Sequence, residues 1–281
     1  MTQLQALLIA ILQGATELFP VSSLGHAVLV PALLGWNIDM RGVGFLPFLV
    51  LLHTATATAL LAYFWRDWWA LAVGVFGLST PQRVRESRHI LLLLVVATLP
   101  AMVLGAGLEH MLRRLFAAPL MAALFLTANG LLLLFGERLR GRMAQAAPRA
   151  MATLTAKDAL VIGLWQCLAL LPGISRSGAT IVGGLLRGID HAGAAHFSFL
   201  IATPIIIGAT LFEVPKMLHA QLPLAQLEIF GIAAAAAGLV AFASTAFLMR
   251  YFRGHDNAAL DPYACYCLAA GLLCAGYFAY F

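Results

Sequence analysis

The chain of 281 residues is 62% hydrophobic and only 10% charged, with a formal net charge of +5. That composition lies far from soluble domains and from disordered segments and excludes both. Its apolar runs are long and do not alternate, which points to spanning α-helices that satisfy their own backbone groups rather than to a β-barrel.

In chain order, the first region, Leu4–Trp36, is apolar but broken in its middle by Gly, Pro and Ser. Each piece falls short of the ~20 residues a crossing helix needs, so the region reads as a re-entrant hairpin of two half-helices. Gly44–Trp65 is the first full span, and Trp68–Leu78 reads as an interfacial or partly inserted helix. Ile90–Leu112 and Ala118–Phe135 are the next two spans, followed by a basic, Ala-rich linker near Arg140–Ala156. Ala159–Ile189 is broken like the first region and reads as a second hairpin; His196–Phe212, Leu227–Leu248 and Tyr263–Phe281 complete the chain. The first 18 residues have no basic leader and no small-residue cleavage site, so a cleaved signal peptide is not expected. Cys167, Cys265, Cys267 and Cys274 lie in apolar stretches without metal spacing and read as small hydrophobes.

The basic residues set orientation rather than marking a nucleic-acid partner. Arg66, Arg83, Arg85, Arg88, Arg138, Arg140, Arg142, Arg149, Lys157, Arg250 and Arg253 fall in one set of loops; Arg41, Arg113, Arg114 and Lys216 fall in the other. The richer set belongs in the cytoplasm. The first hairpin then enters from outside, the second from the cytoplasm, and both termini end on the outer side. The predicted fold class is an all-α polytopic membrane protein with an inverted-topology repeat, each half one re-entrant hairpin plus three transmembrane helices. The halves, 1–140 and 157–281, form a single membrane domain.

Two polar stretches interrupt the hairpins: Gln13 to His26, and Leu171 to Thr180. Ionisable residues at membrane depth are functional candidates. Gln13 and Glu17, spaced i, i+4, share a helix face. Ser22 or Ser23 can cap the next half-helix, with His26 in its first turn. Ser175, Arg176 and Ser177 occupy the second break, and Thr180 the following first turn. Arginine, hydroxyls and a helix N-terminus make an anion site suited to phosphate. A carboxylate beside it implies either a general base or a divalent cation, Mg2+ or Ca2+, bridging acid and phosphate. Serine or histidine can be the nucleophile. The residues alone thus point to cleavage or carriage of a phosphate-bearing substrate. Plainer roles compete: the serines as caps, Glu17 as a structural partner of Arg176, and Arg187 and Asp190 at the edge of the second hairpin. His53, Thr54, Thr56 and Thr58 form a mildly polar stretch in the first span, whose hydroxyls are assigned to helix packing. Glu109, His110 and Glu213 are read as interfacial.

These motifs resemble those of the bacterial undecaprenyl-diphosphate phosphatase family linked to bacitracin resistance. The family's (E/Q)xxxE followed by PVSSxGH is similar to Gln13, Glu17 and Pro20-Val21-Ser22-Ser23-Leu24-Gly25-His26; its PGxSRSxxT is similar to Pro172 through Thr180. The likeness extends through Gln166–Leu186 and His196-Phe197-Ser198-Phe199-Leu200. It implies hydrolysis of a C55 isoprenyl diphosphate in the bacterial inner membrane, recycling the carrier lipid for cell-wall synthesis. Also implied are a divalent cation, a site open to the periplasmic side, and bacitracin as a competitor for substrate. By resemblance, Glu17 binds metal or acts as base, Ser23 is the nucleophile with His26 the second choice, and Arg176 binds the diphosphate. Ser175, Ser177 and Thr180 donate to phosphate oxygens, and Gln13 and Ser22 complete the substrate set. Many members carry Glu where this chain has Gln13, which removes one negative charge. A membrane carrier or flippase for a phosphorylated polyprenyl lipid is the alternative, since it needs the arginine and helix ends but not the nucleophile.

Overall fold

A computed structural model of the chain describes residues 1–36, 38, 44–108, 118–143, 148–219 and 223–280; for residues 46, 142, 143, 212–219, 224 and 225 it describes the backbone alone. Among these residues eleven α-helices follow one another: α1 Gln3–Thr16, α2 Ser23–Leu33, α3 Phe45–Tyr63, α4 Trp65–Val75, α5 Pro81–Gly107, α6 Pro119–Met143, α7 Ala156–Cys167, α8 Arg176–Leu185, α9 His191–His219, α10 Leu224–Gly254 and α11 Asp261–Tyr280. Arg41, Glu109, His110, Arg113 and Arg114 lie outside the described residues, as do the side chains of Arg142, Glu213 and Lys216.

Five helices (α5, α6, α9, α10 and α11) are long and apolar enough to cross a membrane. The pair α3 and α4 passes the same test as a sixth but bends by 75° between Tyr63 and Trp65. The protein is a multi-pass helical membrane protein. Large apolar side chains face outward, Leu131, Leu239, Leu273 and Val103 among them, while Gln13, Glu17, Arg176 and several hydroxyls are turned inward. That inversion is what a hydrocarbon solvent selects.

The spans run past their apolar windows. α5 begins at Pro81, not Ile90, and includes Arg83, Arg85 and Arg88; α10 extends to Gly254. A helix need not end where lipid ends, because its backbone bonds are closed within the segment.

Small residues let the helices approach closely. A Cβ on Gly14 of α1 would come within 2.4 Å of the Ala237 carbonyl oxygen of α10, and one on Gly163 of α7 within 2.5 Å of that of Ala97 in α5. α6 and α11 pack along each other through Gly130 and Gly271.

Both regions read as hairpins are pairs of short helices, α1 with α2 and α7 with α8, meeting at Pro- and Ser-containing turns. Thr2 and Thr155 open α1 and α7 with capping boxes. The base of the second pair is closed by charge: Asp158 caps α7 and pairs with Arg149, 3.1 Å away, and with Arg187 beyond α8. Asp190 accepts from the Gly193 N–H at the start of α9. At one end of the bundle, buried Glu137 accepts from the Ala258 and Leu260 N–H groups and pairs with His191, 2.8 Å away, which also meets Asp256. This cluster holds the α10–α11 connection against α6 and α9.

Candidate active site

The tips of the two helix pairs touch. A Cβ on Gly25 would lie 3.0 Å from Gly173 Cα, and Gly173 itself has φ +113° with the Ala122 carbonyl oxygen 2.4 Å from where its Cβ would stand. Only glycine combines that backbone with that closeness. Ending two helices in the protein interior strands backbone carbonyls that need partners there. Each tip supplies the other's partners. The Phe19 carbonyl accepts from the Ser177 hydroxyl at 3.0 Å and from the Ser175 hydroxyl at 3.3 Å. Asn129, fully buried on α6, donates to the Pro20 carbonyl and accepts from the Ser175 N–H, both at 2.9 Å. Sequence reasoning missed Asn129, since one amide in a span carries no spacing signal.

Gln13 and Glu17 stack at the end of α1 as the i, i+4 spacing dictates, the amide donating to Glu17 Oε2 at 2.7 Å. The Ser23 hydroxyl donates to the same oxygen at 2.6 Å. Arg176, the first residue of α8, donates to Glu17 Oε1 at 3.1 Å through Nη2. Its Nη1 is buried with no partner among the described residues, so half of the guanidinium fork is uncommitted. One carboxylate therefore joins a hydroxyl from the first tip to a guanidinium from the second.

These groups line a cavity of about 340 Å³. Glu17, Ser22, Ser23, Ser175 and Arg176 contribute to its wall, and so do His53 and Thr210, with Leu170, Ile174, Ile205 and Ile206 as apolar lining. His53, read only as part of a mildly polar stretch, has Nδ1 3.4 Å from Glu17 Oε2 and 3.0 Å from Gln13 Nε2. Thr54 beside it meets Thr210 of α9 at 3.0 Å. Nothing in the local sequence distinguishes His53 from a packing histidine; only the approach of α3 to α1 brings it to the acid.

Four named residues stand behind the wall. Gln13 backs Glu17. Ser177 closes the tip through Phe19, and Thr180 donates to the Arg176 carbonyl at 2.8 Å and meets Ser198 of α9 at 2.6 Å. His26 has both ring nitrogens engaged: Nδ1 donates to the Ser22 carbonyl at 2.7 Å, and Nε2 meets the Tyr266 hydroxyl at 2.7 Å. That grip bears on Ser22, whose φ of +66° is rare for a residue with a side chain. Such strain costs about 1–3 kcal/mol and persists where surrounding bonds over-determine it. Here the Ser22 carbonyl takes the His26 ring and backbone N–H groups, and the Ser22 hydroxyl accepts from the Gly25 N–H. The result aims the next residue, Ser23, at Glu17.

Chemically the cavity offers a hydroxyl on a carboxylate, a half-free guanidinium, further hydroxyls and the N-terminus of α8. Such a donor set suits an anion, and it includes a hydroxyl in hydrogen-bond contact with a carboxylate. All its acidic and hydroxyl donors are oxygens. Among the described residues no three His, Cys, Asp or Glu side chains cluster as a self-sufficient metal site.

The chain is 62% identical to the undecaprenyl-diphosphatase of Granulibacter bethesdensis, with 97% of this chain and 95% of the relative covered. It is 59% identical to the protein of that name from Gluconacetobacter diazotrophicus, over 96% and 95% of the two chains, and 58% identical to that from Acidiphilium cryptum, over 97% of each. The family model described as bacitracin resistance protein BacA matches residues 6–273, which takes in both tips and every residue of the cavity wall. The chain belongs to the bacitracin resistance protein BacA family.

Proposed function

We infer that the chain is a membrane phosphatase that hydrolyses undecaprenyl diphosphate to undecaprenyl phosphate and inorganic phosphate, recycling the carrier lipid of cell-wall synthesis. The relatives' name supplies the substrate. The observation that carries the chemistry is the Ser23 hydroxyl 2.6 Å from Glu17 Oε2, with Arg176 on the other oxygen. A carrier needs the guanidinium but has no use for a hydroxyl held on a base.

In this reading the terminal phosphate enters the cavity and meets the free side of Arg176 and the α8 N-terminus, helped by Ser175 and Ser22. Ser23 Oγ attacks the terminal phosphorus as the bridging P–O bond breaks, and its proton passes to Glu17. Undecaprenyl phosphate leaves. Water then cleaves the seryl phosphate, freeing inorganic phosphate and restoring Ser23. Arg176 stabilises the charge on the equatorial oxygens in both steps. Gln13, His26, Ser177 and Thr180 hold these groups in place.

A divalent cation fits the donor set when substrate supplies ligands, because Mg2+ is commonly held through one or two carboxylates plus phosphate oxygens. Glu17 would be the protein carboxylate, with Ser22 and Ser23 hydroxyls nearby. Bound there, Mg2+ or Ca2+ would neutralise phosphate charge.

The inverted repeat, with halves 1–140 and 157–281, belongs to the same reading. Its supports are paired features at one constant separation along the chain: Thr2 and Thr155 as capping boxes, Gln13 and Gln166 as buried amides, Ser22 and Ser175 as N-caps, and Gly25 and Gly178 as their donors. The packing of α1 on α10 has its counterpart in α7 on α5. The loop charges support an orientation with both termini on the outer side, and the family resemblance supports the bacterial inner membrane and a cavity mouth on the periplasmic side. Bacitracin would compete for the lipid substrate.

The test is phosphate release from farnesyl or undecaprenyl diphosphate by purified protein in detergent. Turnover supports the enzyme; tight lipid-phosphate binding without release supports the carrier.

A further inference from the structure

His53 lies on the cavity wall with one ring nitrogen held by its neighbours and the other without a partner among the described residues. That hold begins at Glu17. A carboxylate oxygen only accepts, so the end of the Gln13 amide lying 2.7 Å from Oε2 is its NH2. The same nitrogen lies 3.0 Å from His53 Nδ1. Its two hydrogens thus serve Glu17 and His53, and Nδ1 is an acceptor. A neutral imidazole that accepts at Nδ1 carries its proton on Nε2. Gln13 leaves its own Oε1 buried and unpartnered to hold this orientation. By contrast with His26, whose two nitrogens are both taken, His53 Nε2 has no partner among the described residues, and the ring lines the cavity.

Arg176 reaches Glu17 at Oε1 and the His53 ring lies beside Oε2, so both side chains flank the same carboxylate on the cavity wall. The other cavity-wall residues of α3 and α9 are Val50, Ile205, Ile206, Ala209 and Thr210, none charged, and α10 contributes none.

We propose that His53, held by Gln13 as the Nε2–H tautomer, is a substrate-contacting residue that donates a hydrogen bond to a phosphoryl oxygen of the lipid diphosphate. Gln13 is then a positioning residue for His53 as well as for Glu17. The proposal rests on the phosphatase reading and names a donor beyond the two motifs.

The test compares full-length His53→Gln, His53→Asn and His53→Phe in detergent with farnesyl diphosphate, after the parent protein has been shown to turn over. A glutamine amide nitrogen reaches the Nε2 position and an asparagine amide only the Nδ1 position. His53→Phe and His53→Asn are expected to lose about 10- to 100-fold in kcat/KM, the worth of one hydrogen bond to a charged group. His53→Gln is expected to recover most of that loss. Nitrogen-15 NMR of histidine-labelled parent, with His53→Phe assigning the signal, is expected to show Nε2 protonated and Nδ1 bare. Equal losses in the Gln and Asn variants, full activity in the Phe variant, or a proton on Nδ1 would overturn the proposal. A parent protein that releases no phosphate overturns the phosphatase reading instead, while the tautomer measurement still decides the Gln13–His53 pairing.

Discussion

Glu17 and Arg176 stand 159 residues apart in sequence and 3.1 Å apart in space. Neither charge is tolerable alone in this buried position, because a buried ion without a partner is strongly destabilising. Each break in a helix pair brings one of them, and their meeting defines the cavity.

Arg176 uses one arm on Glu17 and keeps the other buried and free. Lysine supplies charge but cannot serve two acceptors with a planar fork. Arg176→Lys is expected to fold, judged by size-exclusion profile and melting temperature, but to lose at least about 100-fold in kcat/KM for lipid diphosphate, the worth of one or two charge-assisted hydrogen bonds. Parent-level activity in this variant would mean that point charge alone suffices.

Asn129 ties the first tip to the second through one amide. Asn129→Asp turns its donor toward the Pro20 carbonyl into an acceptor, and Asn129→Leu strands the Ser175 N–H and leaves the Pro20 carbonyl with only the Cys267 thiol, 3.8 Å away. Either is expected to cost about 1–3 kcal/mol per stranded group, read as a lower melting temperature in detergent, with activity falling as the tips separate. An unchanged melting temperature would show that the tips hold without this bridge.

Asp158 gives a pH dependence outside the spanning helices. Burial alone would push its carboxyl up, but the Thr155 N–H and hydroxyl and the Arg187 and Arg149 guanidiniums outweigh that and hold it well below the usual carboxylate range. A carboxyl depressed in the folded state adds stability above its unfolded pKa and loses it as pH falls toward the folded value. The melting temperature of the parent should exceed that of Asp158→Asn by a constant margin from neutral pH down to about pH 5, and the margin should narrow in stronger acid. A margin that widens with acid would contradict the assignment.

The proposed metal dependence is tested at Glu17, the one carboxylate on the cavity wall among the described residues. Chelator is expected to stop phosphate release, with Mg2+ or Ca2+ restoring it, while leaving the melting temperature of the substrate-free protein nearly unchanged, since the ion needs phosphate oxygens to complete its shell. A large melting shift on chelation would point to a resident structural ion.

Much of this was readable in the sequence because polar residues are conspicuous against an apolar background. Gln13, Glu17, Ser22, Ser23, Ser175 and Arg176 announce themselves by spacing and by the prolines beside them. His53, Thr210 and Asn129 do not. None belongs to either polar stretch, and the partner of each comes from elsewhere in the chain. The Glu137–His191–Asp256 cluster escaped for the same reason. Helix ends were also poorly legible: hydropathy marks where lipid stops, whereas α5 and α10 stop where their backbone bonds do.

The most direct test is phosphate release from undecaprenyl diphosphate by Ser23→Ala beside the parent protein, both verified as folded. Removing the proposed nucleophile should lower kcat by at least about a thousandfold, with substrate binding retained if Arg176 holds the phosphate as proposed. Turnover by Ser23→Ala within tenfold of the parent would contradict a mechanism built on the Ser23–Glu17 contact.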